Sequence, residues 1–384
     1  VRQLRVGFLS CKNYFDRTAF SGVLFHMYNA LKARDLQVIE LGSPSKPSRL
    51  QNLVKRLSKR QAHAKLGDSR YLADSKKFAV QVQDQLSQKP CDVIVAPVAS
   101  RELAFLETTI PIIYLSDTTC KLYCQYYPLN LDPQELEWKE NEESTAIAKA
   151  SKLVYSSEWA ANSAICDYQA ETAKIEIIPF GANIDNPPVA NQVLSPRPTS
   201  PCRLLFMGRD WQRKGGDIAY QTLMSLNQQG MDAELIIVGS TPPASIKSKK
   251  LTLIPFLNQN IPQDRQQFQE LFLTSHFLIS PTRADCSPMV FCDANAFGLP
   301  VLTTDVGGIP TIINEGKNGY MFPLSASGED YANLIVQTFS NPTRYAQLVS
   351  SSREEYDKRL NWNKWAERIH DLSLTMVESE ELGE

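Results

Sequence analysis

Two series of short apolar runs, separated by a proline-dense stretch, restrict this chain to an α/β architecture more tightly than any other feature. In the first series the runs are Leu4–Leu9, Leu36–Leu41, 92–96, 110–115, 153–156 and 175–178. Each is four to six residues long with polar flanks, the form of a strand buried on both faces. Helical periodicity fills the intervals at 23–34 and 158–168. Strands alternating with helices predict a mostly parallel sheet covered on both sides. Residues 187–201, PPVANQVLSPRPTSP, then bring five prolines. Proline fixes φ and removes an amide donor, so this stretch continues neither sheet nor helix. The pattern restarts with runs at 203–207, 233–238, 251–255, 277–280 and 300–303, and helices are expected at 216–229, 289–297, 331–339 and 362–377. The expected division is 1–185 for a first domain, 186–202 for a linker and 203–359 for a second domain. A last helix is expected over 360–380, with Trp362 and Trp365 as a large apolar anchor.

A length of 384 residues fits two or three domains. Lys plus Arg is 40 and Asp plus Glu is 42, a net charge of −2. That balance gives no support for a nucleic-acid binder, whose footprint is strongly basic. The eight cysteines contain no C-x-x-C pair, and none of the four histidines is grouped with them. No metal site is expected, and the cysteines read as reduced thiols of a cytoplasmic protein. The opening residues, VRQLRVGFLS, lack the apolar stretch of a signal peptide. No run approaches the roughly 20 apolar residues of a membrane helix.

Two stretches carry the chemistry. The first is 204–216, LLFMGRDWQRKGG, in which a strand ends at Met207 and a helix begins near Gly215. Gly208, Arg209 and Lys214 lie between. Two cations beside a helix N-terminus suit an anion, because unpaired amides and the helix dipole add to their charge. Two fixed cations suit a diphosphate; a solvated basic loop would look the same by spacing alone. The second stretch is 280–308, SPTRADCSPMVFCDANAFGLPVLTTDVGG. Asp285 is expected in the loop after a strand, and Asp293 one turn into the following helix. Ser287, Pro288, Met289 and Val290 open that helix, where amides lack intrahelical partners. The plainer reading has Asp285 capping the helix and Asp293 on a solvent face.

Taken together, these stretches resemble the retaining glycosyltransferases of family 4, with the GT-B architecture of two Rossmann-like domains facing a central cleft. The strand–GR–x4–KG order is similar to that family's diphosphate-binding Arg/Lys pair. The carboxylate–x7–carboxylate segment and the GLPVLTTDVGG after it are similar to the family's E-x7-E region and glycine loop. EGKNGYMF at 315–322, IIPFGANID at 177–185 and FSGVL at 20–24 extend the likeness. It covers nearly the whole chain, is strongest from about 155 to 323 and weakest from about 42 to 90, and it implies that the C-terminal helix, 360–380, returns to the first domain with Trp362 and Trp365 as its anchor.

The resemblance implies transfer of a hexose from a nucleotide diphosphate sugar, UDP-hexose being the first choice, to a small-molecule, glycan or lipid-linked acceptor. No metal or other cofactor is implied. Arg209 and Lys214 would stabilise charge on the leaving diphosphate, the kind of term that dominates many active sites. Asp293 would hold ribose hydroxyls, and Asp285 hydroxyls of the donor sugar. Ser21, Gly22, Phe256 and Ser287 through Val290 complete the implied donor-binding set. There are three departures from the family pattern. Both acidic positions are Asp rather than Glu, shorter by about 1.5 Å. The first-loop pair is Ser21-Gly22 rather than Gly-Gly. Asp117, in IYLSDT, stands roughly where many members carry a His facing the sugar. Two other readings remain at this point: a non-catalytic nucleotide-sugar binder, and a GT-B sugar-nucleotide epimerase, which would need acid–base groups that a His-poor cleft lacks.

One further region stands out. Residues 42–67 hold no Asp or Glu but contain Lys46, Arg49, Lys55, Arg56, Lys59, Arg60 and Lys65. Leu50, Leu53, Val54 and Leu57 fall at helical spacing. The expectation is a basic amphipathic helix that either packs by its leucines or brings 46–65 to anionic lipid at the inner face of a membrane.

Overall fold

The structure is a computed structural model describing residues 3–10, 12–42, 68–127 and 131–383. The basic stretch 46–65 lies outside the described residues. The chain divides into two compact units, Val1–Ile178 with Ala366–Glu384, and Pro179–Trp365.

The first unit is built on β1 (Leu4–Leu9), β2 (Leu36–Leu41), β3 (Val93–Pro97), β4 (Ile112–Ser116), β5 (Lys152–Tyr155) and β6 (Ile175–Ile177), in the order β2-β1-β3-β4-β5-β6. Every pairing is parallel, with Val6 opposite Val38 on one side and Val93 on the other. All five residues of β3 and of β4 are buried, as strands covered on both faces must be. Helix α1 (Val23–Lys32) forms part of the connection from β1 to β2. The strand order reverses between β1 and β3, and open α/β sheets bind ligands beyond the strand ends at such a point.

The second unit carries β7 (Cys202–Met207), β8 (Ala233–Val238), β9 (Leu251–Ile254), β10 (Phe277–Ser280), β11 (Val301–Thr304) and β12 (Gly319–Phe322). Their order is β12-β11-β10-β7-β8-β9, again all parallel. Counted from β7, this is the 3-2-1-4-5-6 order of dinucleotide-binding sheets, reversing between β7 and β10. Helix α2 (Gly216–Gln228) follows β7, and α3 (Met289–Ala296) lies between β10 and β11. The strand β12 is not among the sequence-expected runs. It is four residues long and mostly half-exposed, so it lacks the apolar run that marks the other strands.

The proline-rich stretch belongs to the second unit. It contains a short helix, Ala190–Val193, whose last residue is buried. Prolines cannot donate, but their carbonyls accept. Arg353 Nη1 donates to Pro188 O at 2.6 Å, and Arg197, within the stretch, donates to Phe297 O at 2.7 Å. His276 is buried beside β7: its Nδ1 accepts from the Arg203 amide at 2.8 Å, so Nε2 carries the proton toward Pro198 O at 2.7 Å. Burial pushes its pKa down to about 4. His276 is thus a structural residue.

The last helix, α4 (Trp362–Gly383), begins in the second unit and counts with the first from Ala366 onward. Glu367 lies 3.7 Å from Arg34, and Arg368 3.2 Å from Glu176. The two tryptophans stay in the second unit. Trp362 stacks on Phe180 at 5.9 Å and meets Trp365 edge-on at 5.4 Å. They therefore fix the start of the helix to the second unit rather than serving as its anchor on the first.

Candidate active site

In the second unit, the loops after β7 and β10 meet at the point where the strand order reverses. After β7, the Gly208 amide donates to Val238 O at 3.1 Å. A Cβ at Gly208 would lie 2.8 Å from Lys214 Cγ, so glycine lets the lysine stem cross the loop. Gly215 has φ +74°, and a Cβ there would come within 2.0 Å of Pro281 O. Only glycine brings the loop this close to the residues after β10.

Lys214 Nζ donates to Asp285 Oδ2 as a direct ion pair. Arg213 Nη1 donates to Ala284 O at 2.6 Å and lies 3.8 Å from the same Asp285 oxygen. Arg283 pairs with Asp217, in the first turn of α2, at 2.7 Å. Arg209 is exposed, its guanidinium 4.1 Å from the Phe256 ring centroid, within cation–π range. Phe256 itself is 47% exposed.

Asp285 lies in the loop after β10, as its position predicts, and is 8% exposed. It does not cap α3, whose N-cap is Pro288 with no side-chain bond. Its carbonyl instead accepts from Gly308 N at 3.2 Å, which ties in the glycine loop after β11. Asp293 lies one turn into α3 and is not on a solvent face: it is 5% exposed. Its Oδ1 accepts from the Asn183 amide at 2.6 Å, and Asn183 Oδ1 accepts from Trp362 Nε1 at 3.1 Å. Burial pushes the Asp293 pKa up to about 7, with the Asn183 amide pulling the other way. Met289 is buried, while Ser287 and Val290 are half-buried.

Two residues here escaped the sequence reading. Arg213 is one. The other is Ser240, just beyond β8, whose buried Oγ has no partner among the described residues; the Oγ of Ser287, a residue of the expected donor-binding set, is buried without a partner in the same way. A buried polar atom without a partner calls for an explanation. Ser240 follows a strand end beside β7, a position the strand-end rule points to.

Ser21, Gly22 and Asp117 belong to the first unit. Phe20, Ser21 and Gly22 all have left-handed φ, at 48°, 54° and 84°, and Gly22 begins α1 without a side-chain cap. Asp117 follows β4, in a turn held by Ser116 Oγ donating to Thr118 O at 2.6 Å. Lys12, absent from the sequence reading, lies 4.7 Å from the Phe20 ring centroid. Surrounding protein lowers its pKa even though the residue is exposed overall, while Asp117 and Glu102 raise it. Glu102, also missed, is 6% exposed and sits just beyond β3. Ser21 supplies a local prediction. A non-glycine residue in the left-handed region costs about 1–2 kcal/mol, against about 0.5–1 kcal/mol for glycine's extra chain entropy. Ser21→Gly should therefore stabilise by roughly 0.5 kcal/mol, read as a higher urea midpoint at unchanged slope; a lower midpoint would show that the serine side chain earns its place there.

Among the described residues, no group of three or more His, Cys, Asp or Glu is placed to hold a metal ion, and no helix is long and apolar enough to cross a membrane.

Two parallel six-stranded sheets with interleaved helices give this chain the fold of the GT-B glycosyltransferases. Among solved structures it is similar to a sucrose-phosphate synthase from Thermosynechococcus elongatus, with TM-score 0.68 and 15% identity over 98% of this chain and 100% of that one. It is also similar to Anabaena HepE in complex with UDP and glucose, with TM-score 0.63 and 15% identity over 97% and 100% of the two chains. Residues 201–341, within the second unit, match the family described as "Glycosyl transferases group 1". Among curated proteins, spore coat protein SA of Bacillus subtilis is 26% identical over 43% of this chain and 47% of its own length. The D-inositol 3-phosphate glycosyltransferase of Gordonia bronchialis is 22% identical over 58% of this chain and 51% of its own. The chain thus spans about half the length of these two curated relatives.

Proposed function

We propose that this protein is a retaining, metal-independent glycosyltransferase of family 4 that moves a hexose from UDP-hexose to a sugar, polyol or lipid-linked acceptor. The observation that carries the reading is the pair Lys214–Asp285, formed between the loops after β7 and β10. The pair lies at the reversal point of a 3-2-1-4-5-6 sheet, and the reading assigns its cation to the diphosphate and its carboxylate to sugar hydroxyls. Arg209, exposed on the same loop, adds the second cation. As the bond from sugar to diphosphate breaks, negative charge grows on the leaving oxygen, and fixed cations stabilise it without reorganising. The same oxygen takes the proton of the attacking acceptor hydroxyl on the same face, so the anomeric configuration is kept and no His is required. Asp293 holds the ribose, and Phe256 and the start of α3 flank the nucleotide. The reading places the protein in the cytoplasm.

A thermal-shift panel of UDP, GDP, ADP and their hexose derivatives, run in EDTA, tests the donor side. A ligand at 100 times its Kd adds about 2.7 kcal/mol, a rise of roughly 5–10 °C for a domain of this size. UDP and UDP-hexose should give it. A protein that no nucleotide diphosphate shifts, or one that UDP shifts only with a divalent cation present, contradicts the reading.

A further inference from the structure

The Lys214–Asp285 pair raises a difficulty within this reading. A diphosphate needs the Lys214 ammonium, yet that ammonium is already bound to Asp285 Oδ2. Asp285 is 8% exposed, and removing one partner of a buried ion pair leaves a costly uncompensated charge. If Lys214 turned to a phosphate with nothing in its place, the desolvated carboxylate would oppose binding.

Arg213 stands where it meets that need. It is the residue before Lys214, and its Nη1 lies 3.8 Å from the oxygen that Lys214 holds. The guanidinium is positioned from both sides. Nη1 donates to Ala284 O at 2.6 Å, next to Asp285, and Nε lies 3.8 Å from Asp210. Its backbone is fixed too: Arg213 N donates to Asp210 Oδ1 at 2.9 Å, and Arg213 O accepts from Arg283 N at 2.7 Å. The side chain is therefore held within about one bond length of full contact with Asp285. A guanidinium has five donors in a rigid fork, so it can keep Ala284 O while closing on the carboxylate.

We infer that Arg213 is a positioning residue that takes over Asp285 when a nucleotide diphosphate engages Lys214, so that the lysine is released without stranding the aspartate. The inference rests on the proposed donor site. It also gives the aspartate at 285 a physical role: one carboxylate is shared by two consecutive cations of a single loop.

The test is a double-mutant cycle on UDP affinity by calorimetry, with GDP and ADP measured alongside so that a different base is not read as failure. Arg213→Gln should weaken the preferred nucleotide about tenfold, the range expected for directly coupled charges. Arg213→Lys, which keeps the charge, should recover part of that loss. Asp285→Asn removes the carboxylate that competes for Lys214, so its affinity should be unchanged or tighter. In that background Arg213→Gln should change affinity less than twofold. Equal weakening with and without Asp285→Asn would overturn the inference, since Arg213 would then act on the nucleotide or merely brace the loop. No weakening in the single variant would overturn it as well, with the donor site left standing. A wild-type protein that binds none of the three nucleotides would remove the donor site and the inference with it.

Discussion

Arg209→Ala and Lys214→Ala should each lower kcat/KM for donor turnover at least thirtyfold. The comparison is with truncating one donor to a developing oxyanion, which costs about 2.7–4 kcal/mol in the transition state. The two variants should differ in stability. Arg209 is exposed and its contact is the Phe256 ring, worth about 0.5–1 kcal/mol at such a site. Its loss should leave Tm nearly unchanged while turnover collapses. Lys214 is the direct partner of Asp285, a buried carboxylate whose remaining cation, Arg213, is 3.8 Å away. Lys214→Ala should lower the rate with only a modest loss of Tm, because Arg213 can close on Asp285, and adding Arg213→Gln should deepen the Tm loss. Steady-state kinetics beside thermal unfolding separates these outcomes, and wild-type rates in both single variants would end the diphosphate assignment.

Asp293 should act against stability and for binding. Its pKa is pushed up to about 7 in the folded protein by burial, against about 3.9 in an unfolded chain. Between those values the folded state binds the proton more tightly, so the stability contributed by Asp293 is fully present below about pH 4, is lost as pH rises toward 7, and then levels off. Asp293→Asn removes the ionising group and keeps an oxygen for the Asn183 amide. The variant should be more stable than the parent at pH 8, by on the order of 3 kcal/mol, and the gain should shrink as pH falls toward 4. Binding should move the other way. Ribose hydroxyls donate best to an ionised acceptor, so wild-type affinity for UDP-hexose should strengthen from pH 6 to pH 8 and be flat in Asp293→Asn. UDP-hexose is the probe because its diphosphate does not titrate there. Asp293→Glu, with a longer side chain in the same buried slot, should displace the ribose; a shift of ~1 Å costs on the order of a hundredfold in rate. An Asn variant less stable than the parent at pH 8 would mean that Asp293 is compensated by more than the Asn183 amide.

The fold was largely legible because both sheets are parallel and buried on two faces. A strand such as Val93–Pro97, buried at every residue, must read as an unbroken apolar run. Gly319–Phe322, half-exposed at the edge of its sheet, has no such signature. The proline stretch was legible as a break, but not as part of the second unit. Its attachment depends on Arg353, a residue far along the chain that donates to Pro188 O. At the candidate site, Arg209, Lys214, Asp285 and Asp293 stood out through their loop positions and a family likeness. Their partners did not. Lys214 meets Asp285 across 71 positions of sequence and Asn183 meets Asp293 across 110, separations that only the assembled fold brings together. Arg213 was hidden for another reason: it looks like one more solvated cation until Ala284 and Asp285 are placed beside it.

The most direct measurement follows UDP release and the anomeric configuration of the transferred sugar by NMR. UDP-hexoses are offered with a panel of monosaccharides, inositols and their phosphates, in EDTA, to the wild-type protein and Arg209→Ala. The account predicts acceptor-dependent UDP release by the wild type with the donor's configuration kept, and a rate at least thirtyfold lower in the variant. UDP released with inverted configuration, release only when a divalent cation is restored, or equal rates in the two proteins would contradict it.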